Sequence, residues 1–288
     1  MPRWLFPAGA AVIALGLLAS TARAADYTGP LMDAHTHVSS ATAIDAYVAA
    51  MKRHDVRRVV VLGVGGVQKD DPAWIAAAAR KHPDRVLAGI PVADPLAPDA
   101  AKRLEAALAR GKAHAIGEIH LRQVSRKIDR DPGAPAFGAL LDVAAKHGLP
   151  VVVHDDLDED AASALSRALA AHPRTTIVLA HAGEATPARI EPLLARHPNL
   201  TVDLSGMHFQ RTPALASETG PLDPAWKALI EKMPARFVMG IDVWAPRLFE
   251  PAMLDRLMKW TRRVLGELSP AVAEQVAYRN AARLYRAE

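Results

Sequence analysis

The sequence predicts a single (β/α)8 TIM barrel with one extra C-terminal helix, on three observations. Short β-branched runs alternate eight times with Ala/Leu/Arg-rich stretches. The runs are apolar throughout rather than alternating, as in parallel strands covered on both faces. Residues 25–288, which follow an apolar leader, match the ~250 residues of one such barrel.

In chain order, strands are expected at 30–37, 57–63, 86–92, 115–121, 150–154, 176–181, 200–204 and 236–241. Val59-Val60-Val61-Leu62, Val151-Val152-Val153 and Ile177-Val178-Leu179-Ala180 are their clearest cores. Helices are expected at 42–54, 72–82, 98–111, 136–147, 159–172, 187–197, 223–233 and 250–267, with a closing helix at 270–287. A doubly wound open sheet is the alternative, but no Gly-rich phosphate loop follows the first strand. No linker or composition break divides residues 25–288, which read as one domain.

Lys81-His82-Pro83, Ala171-His172-Pro173 and Arg196-His197-Pro198 repeat one helix-ending pattern. A basic residue suits the last turn and proline forbids continuation, so these histidines read as terminators. His54, His114 and His147 also precede strands, at the end of the barrel opposite the chemistry.

Residues 1–24 read as a cleavable signal peptide: a basic Met1-Pro2-Arg3 start, an apolar run from Trp4 to Leu18, and Ala22-Arg23-Ala24. The run is shorter than the ~20 residues that span a bilayer. The expectation is a periplasmic or secreted protein with no stable membrane anchor after cleavage. The chain has no cysteine, which excludes lipoprotein attachment and disulfides. Any metal must then be held by histidine and carboxylate. The formal charge of +4 falls by two with Arg3 and Arg23, and no basic block is interleaved with aromatics. Nucleic acid is therefore not an expected partner. A homo-oligomer stays open.

Barrels of this kind build their sites at the C-terminal ends of the strands. Asp33-Ala34-His35-Thr36-His37 closes the first strand, and a period of two points both imidazoles to one side. The fourth strand ends Glu118-Ile119-His120, the fifth at His154, the sixth at His181 and the eighth at Gly240-Ile241-Asp242. Each group alone has a structural explanation, but five strands delivering metal-compatible side chains to one rim point to a metal site.

These residues, with the closing Asn280-Ala281-Ala282-Arg283-Leu284-Tyr285, make the chain resemble the amidohydrolase superfamily of metal-dependent barrel hydrolases. The resemblance covers residues 25–288 and is nearest the amidohydrolase-related branch of hydrolases, lactonases and decarboxylases. It implies that His35, His37 and Asp242 bind one divalent ion, Zn²⁺ by preference, with His154 as a further ligand. His181 would bind a second ion or orient the attacking water, and Asp242 would also accept that water's proton. Glu118 resembles the strand-four carboxylate that bridges two metals in TatD-like and phosphotriesterase-like members, which leaves one ion or two open.

A divalent ion activates water without a protein nucleophile, and Ser205-Gly206 lacks the context of a nucleophile elbow. His120, Arg122, His208, Arg211 and Trp244 are the candidate substrate-binding residues, with Arg126, Lys127, Arg130 and Arg247 as further cations. Met207 and Phe209 are candidate apolar walls, and Asp155 and Asp156 read as the start of a loop. The leading expectation is a hydrolase of a small ester, lactone or amide, anionic if the arginines converge. A non-oxidative decarboxylase of an aromatic or unsaturated acid is the nearest rival. A nuclease is disfavoured by the low charge, and a barrel that binds a ligand without turnover is the non-enzymatic alternative.

Overall fold

In the computed structural model, which describes Met1 and residues 24–287, eight parallel strands and their helices form a nearly closed barrel. The expected signal peptide thus lies almost wholly outside the described residues. The strands are β1 Leu31–Thr36, β2 Val56–Val61, β3 Val86–Ile90, β4 Ala115–Gln123, β5 Val151–Asp155, β6 Ile177–Leu179, β7 Leu200–Asp203 and β8 Phe237–Val238. A two-residue strand, Ile128–Asp129, pairs antiparallel with the end of β4. Each of β1 to β7 pairs in parallel with its successor.

Eight helices, α1 Ala43–Arg53, α2 Asp71–Lys81, α3 Ala100–Leu108, α4 Pro135–His147, α5 Glu159–Ala171, α6 Pro187–Arg196, α7 Pro224–Lys232 and α8 Pro251–Gly266, form the outer layer. Proline stands in the first turn of five of them, α2, α4, α6, α7 and α8, and of the closing helix, where its missing N–H costs no helical bond. The continuous apolar runs divide between two cores. Val59, Val61, Val151, Val153, Ile177 and Leu179 pack outward with the helices. Met32, Ala34, Val60, Leu62, Val152 and Val178 fill the barrel with Tyr285 of the closing segment.

Strand lengths differ from the sequence expectation mainly at the rim. β3 stops before Pro91, and β6 stops at Leu179 because Ala180–Glu184 turns, with φ of 55° at His181. β8 keeps only two residues: the Met239 N–H donates to Val276 O of the closing segment, and further on Asp242 turns to φ of 59°. After β6 and β8 the backbone turns where it delivers a polar side chain, His181 and Asp242. The closing helix holds a π turn at Gln275–Arg279 and ends at Leu284.

The seam between β1 and β8 closes without a regular ladder. Ala34 N–H donates to Met239 O at 3.0 Å, Asp242 N–H to His35 O at 2.8 Å, and His37 N–H to Val243 O at 3.0 Å. Asp33 fastens the seam from its side chain, where Oδ1 accepts from His35 N at 3.1 Å and Ile241 N at 2.8 Å. Its Oδ2 accepts from Tyr47 on α1 at 2.5 Å.

Six of the twelve histidines stand at the strand-entry end. His54, His82, His172 and His197 are helix C-caps, and His147 ends α4. Four of them meet carboxylates, among them His54 with Asp255 at 2.8 Å and His82 with Asp45 at 2.9 Å. His197 meets Ser166, and His114 meets Tyr285 O. Among the described residues no helix is long and apolar enough to cross a membrane.

Arg262 on α8 donates to the carbonyls of Tyr27, Gly29 and His54, tying the entry segment to the barrel. Replacing it strands part-buried acceptors, each costing about 1 kcal/mol, the low end of the range for an unmade bond. Arg262→Met is expected to lower unfolding stability by about 2–3 kcal/mol in urea titrations, with metal content unchanged.

Candidate metal centre

The other six histidines meet at the C-terminal rim, all of them buried with Glu118 and Asp242. Their distal nitrogens are anchored in nearly every case. His35 Nδ1 lies 2.7 Å from Asp203 Oδ2, and His37 Nδ1 donates to Leu62 O at 3.0 Å. His154 Nε2 meets Asp156 Oδ1 at 2.9 Å, and His181 Nδ1 donates to Ser205 O at 3.0 Å. An N–H committed on one side leaves a lone pair on the other, which is how metal-binding imidazoles are oriented.

Those second nitrogens converge. His35 Nε2 and His37 Nε2 are 3.1 Å apart, and His37 Nε2 is 3.4 Å from Asp242 Oδ1. Two anchored lone pairs at that distance repel unless a proton or a cation lies between them. Glu118 faces five of the imidazoles: Oε1 is 3.1 Å from His154 Nδ1 and 3.2 Å from His181 Nε2. Its Oε2 is 3.1 Å from His120 Nε2, with His37 and His35 at 3.7 and 3.9 Å. The donor atoms form overlapping sets, His35–His37–Asp242, His35–Glu118–His181 and Glu118–His120–His154, each compact enough for one ion. The residues therefore fit one or two divalent cations of the kind that take nitrogen and oxygen ligands.

The electrostatics show the same deficit of positive charge. Burial would push the Glu118 carboxyl up, but hydrogen bonds from His120, His154 and His181 hold it well below its ordinary range. Burial acts likewise on Asp242, and the charges of His181, His37 and His35 bring it far down. Burial opposes charge on His35, yet Asp203 raises it to about 9. His154 is raised against burial by Asp156 and Glu118 to about 10.

Glycine makes the approach possible. A Cβ on Gly206 (φ +67°) would fall 2.8 Å from His181 Nδ1 and 2.9 Å from Asp242 Oδ2. On Gly117 (φ +125°) it would fall 2.4 Å from Val152 O, under the inward turn of Glu118.

A cavity of about 270 Å³ opens above the donors, lined by His120, His208, Arg211 and Trp244, with Arg126 and Arg247. Arg211 donates to Asp242 Oδ2 at 2.7 Å and to Glu184 Oε1 at 3.1 Å. Arg126 lies over the Trp244 ring at 5.9 Å. A larger cleft of about 660 Å³ between α5 and α6 contains none of these donors.

Of the expected substrate-binding residues, Arg122 is the one the structure keeps out of the cavity. It points outside the barrel to Asp158 at 2.6 Å and to Asp156 O at 2.9 Å, because the extended β4 turns it outward. Met207 packs into the core and Phe209 stacks on Trp260, so neither forms a wall. Asp203, Asp156 and Asp33 were not assigned to the site from sequence. The period of two does set Asp156 on the face of His154, though it reads as the start of the next loop or helix, and it could have flagged Asp203 at the end of β7.

The amidohydrolase family model matches residues 23–287. No curated protein matches the sequence. Among solved structures the chain is similar to a probable 2-pyrone-4,6-dicarboxylic acid hydrolase from Acinetobacter baumannii with citric acid bound, at 15% identity and TM-score 0.61 over 89% of this chain and 99% of that one. It is similar to 2,6-dihydroxybenzoate decarboxylase from Rhizobium, at 15% identity and TM-score 0.59 over 90% of this chain and 99% of that one. An amidohydrolase from Burkholderia multivorans with bound zinc shares 18% identity, with TM-score 0.58 over 90% of this chain and 99% of that one. Identities this low show a shared fold.

Two measurements probe the centre. A cation displaces protons from His35 and His154, so metal binding is expected to release protons and to weaken as pH falls. In chelator, the ion pairs of these two imidazoles contribute fully below their unfolded pKa of 6.5 and are lost as pH rises through about 9 to 10. Metal-free protein should thus lose thermal stability over that alkaline window, and added metal should restore it. Asp203→Ala should weaken metal binding ~10–100-fold in competition titrations.

Proposed function

The chain belongs to the amidohydrolase family, and from that premise we propose that it is a metal-dependent hydrolase of a small, anionic ester, lactone or amide. One observation carries the reading: four anchored imidazoles and two carboxylates converge beneath a cavity whose mouth holds arginines. His35, His37 and Asp242 would hold one divalent cation, of which Zn²⁺ is the favoured identity. Glu118, His154 and His181 would hold a second or complete the first. A bound cation would supply Lewis acidity, activating a water near neutral pH and polarising the substrate's oxygen.

The protein's own groups do the rest. Asp242, kept ionised by its imidazole neighbours, is the base that takes the proton of the attacking water and can return it to the leaving group. His181, held through Nδ1 by Ser205 O, orients that water. Arg211 neutralises the far oxygen of Asp242 and stands at the cavity. With Arg126 and Arg247 it favours anionic substrates, since charge-assisted contacts recognise carboxylates strongly. Trp244 offers a flat apolar wall.

A second reading, non-oxidative decarboxylation, is favoured by His120. Its Nδ1 is buried in the cavity without a partner among the described residues and, with Nε2–H given to Glu118, would first take up a proton and then pass it to the carbon that loses CO₂. Carbon dioxide released without net addition of water would select decarboxylation over hydrolysis.

The decisive experiment pairs elemental analysis with a screen of lactones, esters, amides and carboxylic acids. His35→Ala is expected to lose a metal equivalent. Asp242→Asn should lower turnover at least ~10²-fold, and activity near wild type would remove it from the mechanism. A purely ligand-binding barrel would instead show no turnover and unchanged binding in Asp242→Asn. The proposal extends to export, for which the expected N-terminus of the secreted protein is Ala25.

A further inference from the structure

Among the described residues, two imidazole nitrogens in the cavity have no hydrogen-bond partner, His120 Nδ1 and His208 Nε2. His120 is turned toward the metal centre by Glu118. His208 sits in the loop after β7, 4% exposed, and its anchoring is different. The backbone N–H of Gln210 donates to His208 Nδ1 at 3.3 Å. That donor can meet only a lone pair, so the proton of the neutral ring resides on Nε2. Burial first, and then the nearby charges of Arg211 and Arg247, outweigh Asp242 and bring this imidazole down to about 4. Near neutral pH His208 therefore presents an uncharged N–H donor, and no acceptor meets it among the described residues.

Gln210 has a second task. Its Oε1 accepts from Arg247 Nη1 at 2.8 Å. One residue thus fixes a neutral donor and a cation at the same cavity, while Arg211 is committed to Asp242 and Glu184. Arg247 beside a neutral N–H donor offers a pair of contacts that matches the two oxygens of a carboxylate, while Arg126, which also lines the cavity, lies over the Trp244 ring.

We infer that His208 Nε2 and the Arg247 guanidinium, both held by Gln210, form a subsite for a substrate carboxylate that is not itself the reacting group. The inference rests on the reading of the cavity as a site for anionic substrates, and it assigns the anion and its receptors. His208 acts as a donor of fixed tautomer rather than as a base, and Gln210 is a positioning residue outside the cavity.

Calorimetric titration of the metal-loaded protein with benzoate, and with benzamide as its neutral counterpart, tests this. Wild type should prefer benzoate. His208→Phe should cut benzoate affinity ~10–100-fold, the worth of one hydrogen bond to a charged group, and leave benzamide nearly unchanged. His208→Gln, which restores an N–H at similar reach, should recover most of the loss. Gln210→Ala should weaken benzoate through Arg247 while metal content stays equal. Imidazole ¹⁵N spectra of wild type, which need no variant to fold, should show His208 as the Nε2–H tautomer. An Nδ1–H tautomer, no benzoate preference in wild type, or a preference retained in His208→Phe would each overturn the subsite. A protein that binds metal and hydrolyses esters but lacks the preference keeps the hydrolase reading and loses the subsite. One that prefers benzoate but shows neither metal nor turnover does the reverse.

Discussion

The seam between β1 and β8 is the constraint on which the site depends. These are the first and last strands of the barrel; β1 carries His35 and leads to His37, and the segment after β8 brings Asp242. Asp33 joins them with one carboxylate that accepts from the backbone on both sides of the seam and from Tyr47 on α1. Burial raises this carboxyl to about 6, only partly offset by the hydrogen bonds it receives. A costly buried acid is retained where it sets the distance between ligands that are more than 200 residues apart in sequence.

Glu118 plays the corresponding part on the other wall. It is surrounded by imidazoles that are themselves fixed from behind by Asp203, Leu62 O, Asp156 and Ser205 O. Fixed donors around one carboxylate leave little freedom to relax when their counter-charge is removed, so proton or cation occupancy is built into the fold. The same fixation explains the preorganisation the chemistry requires, because groups that cannot reorient need no reorganisation during reaction.

Much of this was legible in sequence because two periods carry it. Continuous apolar runs mark strands buried on both faces, and the last residue of each run falls at the rim, which located His154, His181 and Glu118. Histidines followed by proline at helix ends could be set apart from those at strand ends by position alone. What sequence did not show depends on where a strand stops. Arg122 was grouped with the cavity because β4 was expected to end at 121, whereas it continues to Gln123 and turns that side chain outward. Asp203 and Gln210 act through other residues, and nothing in the local pattern names the imidazole each one holds.

Tyr285 and the closing segment fill the barrel from the strand-entry end, so exchange with solvent runs through the opposite mouth, past Arg126, Arg211 and Arg247. Positive charge at a narrow mouth draws anions in and repels small cations. Small cations are slowed in both directions across such a mouth. The mouth would then work as a charge filter, slowing exchange of small cations in both directions while organic anions pass.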